Sequence, residues 1–133
     1  MVTATIVPVL THCPPSMPHH APQSFLPLKP VDYQILFVLF GRELHGYAMV
    51  RTIEERTGGR VQLEPSNLYR RVRRLMKAGL VEESEERPAP ELDDERRRYF
   101  GLTSLGGAVL EAEARRMREL VVEAEAAHLL PAS

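Results

Sequence analysis

Pro65-Ser66-Asn67-Leu68-Tyr69-Arg70-Arg71-Val72-Arg73-Arg74-Leu75-Met76-Lys77 is the stretch that decides the fold. A proline suits the first turn of a helix, where its missing N–H costs nothing. Leu68, Val72, Leu75 and Met76 then recur at i, i+4, i+7 and i+8, one apolar stripe at helical spacing. Arg70, Arg71, Arg73, Arg74 and Lys77 fall on the other side, with no acid among them. Like charges three or four residues apart repel and cost helix stability. A face selected for stability alone would mix signs, whereas a polyanion would neutralise this one, with arginine adding bidentate geometry. A helix that enters a major groove does so with its first turns. There Asn67 can read adenine, Arg70 can read guanine, and Ser66 can serve bases or phosphates. Ser66 can equally cap the helix. Tyr69 lies at the edge of the stripe, which predicts a half-buried ring with its hydroxyl toward a phosphate.

Working outward, Pro30 opens a helix over 30–41 that Gly41 ends. A second helical pattern covers 46–57 and stops at Gly58-Gly59. Val61–Leu63 alternates as a short strand would. After the basic helix, Gly79 marks a stop, and Leu80–Ser84 and Arg97–Leu102 read as two strands. Pro88, Pro90 and many charged residues lie between them, as in a long solvated hairpin loop. Thr103 is a good N-cap for a final helix running to about 129. Two helices and a tight connection followed by a hairpin make a winged helix-turn-helix. The predicted class is mainly α with a small β-hairpin, plus one long C-terminal helix.

The chain has 133 residues and a formal net charge of -1, so bulk charge alone predicts no polyanion partner. The average hides local asymmetry, because the basic helix is followed by an acidic hairpin tip of Glu85, Glu86, Glu91, Asp93, Asp94 and Glu95. At the base of the wing, Arg96, Arg97 and Arg98 can reach phosphate or pair with Asp93–Glu95. Residues 1–28 hold no Lys, Arg, Asp or Glu and six of the eleven prolines, the composition of a disordered tail. Met17 within it is an alternative start. Three regions follow: the tail at 1–28, a winged-helix domain at 29–103 and a C-terminal helix at 104–133. One cysteine, Cys13, excludes an internal disulfide framework. No apolar run approaches membrane-spanning length, no basic residue precedes Val2–Leu10 as a signal peptide needs, and the expected location is the cytoplasm.

Leu110, Ala114, Met117, Leu120, Val121 and Ala124 form a stripe along the C-terminal helix. About 26 helical residues span roughly 39 Å, more than a small winged-helix body can cover. Dimerisation through this stripe is the economical expectation, with a stripe that serves only the chain's own core as the alternative, and two-fold symmetry would match a palindromic site.

Several stretches, in this order and spacing, resemble the PadR-like transcriptional regulators over about 30–130. They are Leu44-His45-Gly46-Tyr47, Thr57-Gly58-Gly59-Arg60, Asn67 through Leu75, Ala78-Gly79-Leu80-Val81-Glu82, and Asp94 through Gly106. The resemblance implies a homodimeric winged-helix repressor acting on promoter DNA, in the shorter branch with a single C-terminal helix. Two departures stand out. Glu64 occupies the position before Pro65 where the family usually has a small cap, and the wing tip is acidic. A winged helix serving as a protein-interaction module is the alternative reading, and the all-basic face of the third helix argues against it. No nucleophile–base set, carboxylate dyad or phosphate-cradling loop is present. His12, Cys13, His19 and His20 lack a metal-ligand spacing, so no metal or other cofactor is expected. His45 is expected to cap or pack. A small-molecule effector would have to use Tyr33, Phe37, Phe40 and the C-terminal helix, since the chain has no Trp.

Overall fold

A computed structural model describes residues 21–84 and 98–132 of the chain. Helix α1 is Pro30–Val38, strand β1 Leu44–His45, helix α2 Gly46–Arg56 and helix α3 Pro65–Lys77. Strands β2 (Val81–Ser84) and β3 (Tyr99–Leu102) follow, then helix α4, Ser104–Ala126. The three strands form one antiparallel sheet in the order β1-β3-β2. Val81 stands opposite Leu102 and Ser84 opposite Tyr99, while Leu44 and His45 face Phe100 and Tyr99 from the other edge.

The core is built where the apolar stripes converge. Ile35, Leu36, Val38 and Leu39 meet Met49 and Ile53 of α2, Leu68, Val72 and Leu75 of α3, and Val109 and Leu110 of α4. Leu80, Val81 and Phe100 close it from the sheet. Full burial of such a side chain contributes about 1.5–3 kcal/mol, so this one cluster carries most of the stabilisation. The ends of the elements are fixed by local chemistry. His45 Nδ1 accepts from Ala48 N–H at 3.2 Å and so caps α2, while its ring meets Tyr99 edge-on. Gly79 takes φ +84° and lets Leu80 N–H reach back to the Leu75 carbonyl at 3.0 Å, which ends α3. Thr103 caps α4 by accepting from Gly106 N–H at 2.9 Å. Its hydroxyl donates to the Gly79 carbonyl, tying the start of α4 to the end of α3.

Three expectations need correction. Val61–Leu63 forms no strand; Val61 N–H is taken by Thr57 Oγ1 at 3.0 Å, and the segment crosses as coil. The third strand is instead Leu44–His45, which makes a three-stranded sheet of the expected hairpin. Residues 21–28, placed in the tail, are ordered here. Pro22–Phe25 makes a 3-10 turn, and Phe25, Leu26 and Leu28 pack against the core. Their apolar side chains and Leu28 N–H find partners on the globular part, which a count of charges does not register. Residues 1–20, the acidic wing tip, Arg96 and Arg97 lie outside the described residues. The first half of α4 belongs to the winged-helix core through Val109 and Leu110, so the boundary expected at 103 does not separate two cores.

Candidate nucleic-acid interface

Helix α3 presents its two faces as its sequence dictates. Leu68, Val72 and Leu75 are buried, and Met76 is half-buried. Ser66, Asn67, Arg70, Arg73, Arg74 and Lys77 are exposed. Glu64 holds the N-cap position without a side-chain capping bond, Pro65 follows at N1, and Leu68 N–H bonds the Glu64 carbonyl at 3.0 Å. Ser66 therefore sits one residue inside the helix and does not cap it. The Arg70 guanidinium donates to Asn67 Oδ1, joining the two side chains expected to read bases.

Arg71 departs from its neighbours. Its guanidinium donates to Asp32 Oδ1 of α1 at 3.0 Å, and both side chains are largely covered, at 29% and 14% exposure. Arg71 thus anchors α3 to α1, and its charge is neutralised within the protein. A groove of about 290 Å³ opens beside this pair, lined by Val31, Leu63, Asn67, Arg70, Arg71 and Arg74. Tyr69 is half-buried and meets Phe100 with ring centroids 6.3 Å apart. Its hydroxyl end lies over Gly46, where any larger residue would place a Cβ. The tyrosine locks the first turns of α3 against the start of α2.

That lock brings in a residue the sequence reading passed over. Tyr47, next to Gly46, is 60% exposed, and the Arg51 guanidinium lies 5.9 Å from its ring centroid. An exposed tyrosine at the start of the helix that precedes the basic one was the available signal. At the base of the wing, Arg98 pairs with Glu83 across the hairpin at 3.9 Å, and both side chains are exposed. The pairing expected with Asp93–Glu95 lies outside the described residues. On α4, Leu110 is buried in the chain's own core, so it is not free to meet a partner. Ala114, Leu120 and Val121 are exposed, and Met117 and Ala124 are half-buried. Among the described residues, no group of His, Cys, Asp and Glu could hold a metal ion, and no helix is long and apolar enough to cross a membrane.

A helix pair closed by a small antiparallel wing, with a cationic helix facing outward, defines a winged helix-turn-helix protein. Residues 35–112, more than half of the chain, match the Transcriptional regulator PadR-like family, and the chain belongs to that family. Solved structures share the fold. The complex hsRosR-S4 of H. salinarum RosR is 26% identical, with a TM-score of 0.59 over 83% of this chain and 100% of that one. A PadR family transcription regulator from Clostridium difficile is 21% identical, with a TM-score of 0.61 over 77% of this chain and 100% of that one. Bacillus subtilis PadR, solved in complex with operator DNA, is 22% identical with a TM-score of 0.53. It matches over 65% of this chain but 47% of its own. No curated protein matches the chain.

Proposed function

We propose that this regulator binds promoter DNA sequence-specifically as a homodimer and represses transcription from a palindromic site. The observation that carries the reading is the exposed face of α3, where Arg70, Arg73, Arg74 and Lys77 stand with no acid among them. Phosphates would neutralise that face and release counterions. Ser66, Asn67 and Arg70 occupy the first two turns, the part of such a helix that reaches base edges, and Tyr47 and Arg51 flank them at the backbone. Tyr69 and Arg71 hold the reading surface in place more than they touch DNA, whereas Arg98 is exposed at the base of the wing and can reach a phosphate. The α4 stripe of Met117, Leu120, Val121 and Ala124 supports the two-fold partner. Leu120 and Val121 are 49% and 46% exposed in the single chain, and they continue the buried face of the same helix. The protein would work in the cytoplasm. An apolar cavity of about 210 Å³ between α1 and α4, lined by Tyr33, Phe37, Phe40, Gly107, Leu110, Glu111 and Ala114, suits a small-molecule effector.

The test is fluorescence anisotropy on a duplex selected by the protein from random sequence and on a scrambled control, across a salt series. Arg74→Ala should weaken both duplexes alike and flatten the salt slope by about one unit. Asn67→Ala should cost roughly 1–3 kcal/mol on the selected duplex and far less on the control. If both variants bind both duplexes like the parent, α3 is not the DNA-reading element.

A further inference from the structure

Glu113 is 2% exposed, the one charged side chain among the buried residues described. It lies on the inward face of α4, one turn beyond Val109 and Leu110. Oε1 accepts from Arg116 Nε at 2.6 Å, and Oε2 accepts from Arg116 Nη2 at 2.9 Å. Oε2 also accepts the backbone N–H of Leu28 at 3.1 Å, a contact across 85 residues of sequence. A leucine or methionine here would serve packing without desolvating a charge. The carboxylate adds a directional link to one amide of the segment that precedes α1. Phe25, Leu26 and Leu28 of that segment press on the core from the same side, and Pro22, Gln23 and Leu26 run along Ala108, Ala112 and Arg116 of α4.

The place of this link along α4 gives it leverage. Up to Glu113 the helix rests on the winged-helix body, whereas Leu120, Val121 and Val122 beyond it are exposed. The 13 residues that follow Glu113, as far as Ala126, make a lever of about 20 Å. A tilt of about 10° at Glu113 would move the far end by roughly 3.5 Å, close to the 3.4 Å rise of one base pair. We propose that residues 22–28 are a clamp which, through Glu113 and the Leu28 amide, fixes the angle of α4 and thereby the spacing between the two recognition helices of the dimer. The clamp rests on the homodimeric DNA-binding reading above. Glu113 acts as a positioning residue and touches no DNA.

The experiment is in vitro selection from random duplexes with the full chain, Glu113→Gln and the double variant Phe25→Ser/Leu26→Ser. Selection is read as the distribution of half-site spacings, beside sedimentation and amide exchange. The parent should select paired half-sites at one spacing, preferring it roughly tenfold over spacings one base pair longer or shorter. Its Leu28 amide should exchange slowly. Both variants should stay dimeric with protected core amides, lose protection at Leu28, and accept neighbouring spacings within about threefold. The Phe25→Ser/Leu26→Ser chain leaves the Glu113–Arg116 pair intact, so it tests the clamp even if Glu113→Gln fails to fold. A single unchanged spacing in folded variants overturns the clamp while leaving the dimeric reading in place. Isolated half-sites selected by the parent overturn the dimeric reading, and the clamp with it.

Discussion

Replacing Gly46 by alanine tests the lock between α2 and α3 with a change of one methyl group. A Cβ built on Gly46 would lie 2.5 Å from Tyr69 Cζ and 3.0 Å from Cε1, with the hydroxyl closer still. The ring cannot stay, and moving it breaks its edge contact with Phe100. Overpacking of this kind costs about 1–3 kcal/mol. Gly46 is also the first residue of α2, where alanine gains about 0.5–1 kcal/mol of helix propensity. The net expectation is a loss of about 1 kcal/mol in urea unfolding. Tyr69→Ala empties the space, so Gly46→Ala added to it should be stabilising by about 0.5 kcal/mol. The decisive feature is this reversal of sign, a coupling within the range seen for residues in contact. On DNA, Gly46→Ala should weaken binding to selected and scrambled duplexes together, because the whole start of α3 shifts. Equal destabilisation in both backgrounds would refute the claim that Tyr69 is what excludes a side chain at Gly46.

Gly106→Ala would put a Cβ 2.9 Å from the Leu80 carbonyl carbon and nearer still to its oxygen, which is already bound to Thr103 N–H. Backbone cannot step aside as a tyrosine can, so this variant should lose about 3 kcal/mol or more in urea unfolding, and a near-neutral result would contradict the packing described. Met117→Glu places a charge in the α4 stripe and should turn the proposed dimer into monomer by sedimentation; a persistent dimer would move the seam elsewhere. Hydrogen bonding from Arg116 holds the Glu113 carboxyl below its ordinary pKa, against the opposing effect of burial and with help from the Leu28 amide. A lowered folded-state value means stability that is present at neutral pH and lost as pH falls through the depressed value. The urea midpoint of Glu113→Gln should therefore fall less steeply on acidification below about pH 4.3 than that of the parent, and identical profiles would count against the linkage.

Long periodic elements were legible in the sequence. The stripes of α1, α2, α3 and α4 sit within a few residues of their expected limits, because a 3.6-residue period sustained beyond two turns is hard to imitate. Short elements were not. Leu44–His45 becomes a strand only because β3 offers it an unpaired edge, and two residues carry no periodicity to reveal that. Val61–Leu63 has the alternation of a strand but joins none of the three, and its Val61 N–H bonds Thr57 Oγ1 instead. Residues 21–28 read as a tail because they lack charge, yet Phe25, Leu26 and Leu28 pack on the core and the Leu28 amide meets a buried acid 85 residues away. A glutamate three residues after Leu110, in an otherwise apolar stripe, was the visible trace of that contact.

At the interface, one-dimensional reading located the cations but could not sort them. Five basic residues on one helix look equivalent in sequence, and only the position of Asp32 on α1 separates Arg71 from the rest. Asp32 cannot serve the whole row, because its carboxylate is taken up by Arg71 at 3.0 Å. One charge is therefore satisfied inside the protein, where it fixes the angle of the helix. Arg70 finds a neutral partner in Asn67 and keeps its full charge. Arg73, Arg74 and Lys77 lie on the exposed face. The mutual repulsion of these cations persists in the free protein and is relieved when an anion with regularly spaced charge lies along the helix. The arrangement thus uses one arginine to hold α3 rigid and leaves the others for a ligand, so binding need not first order the helix that binds.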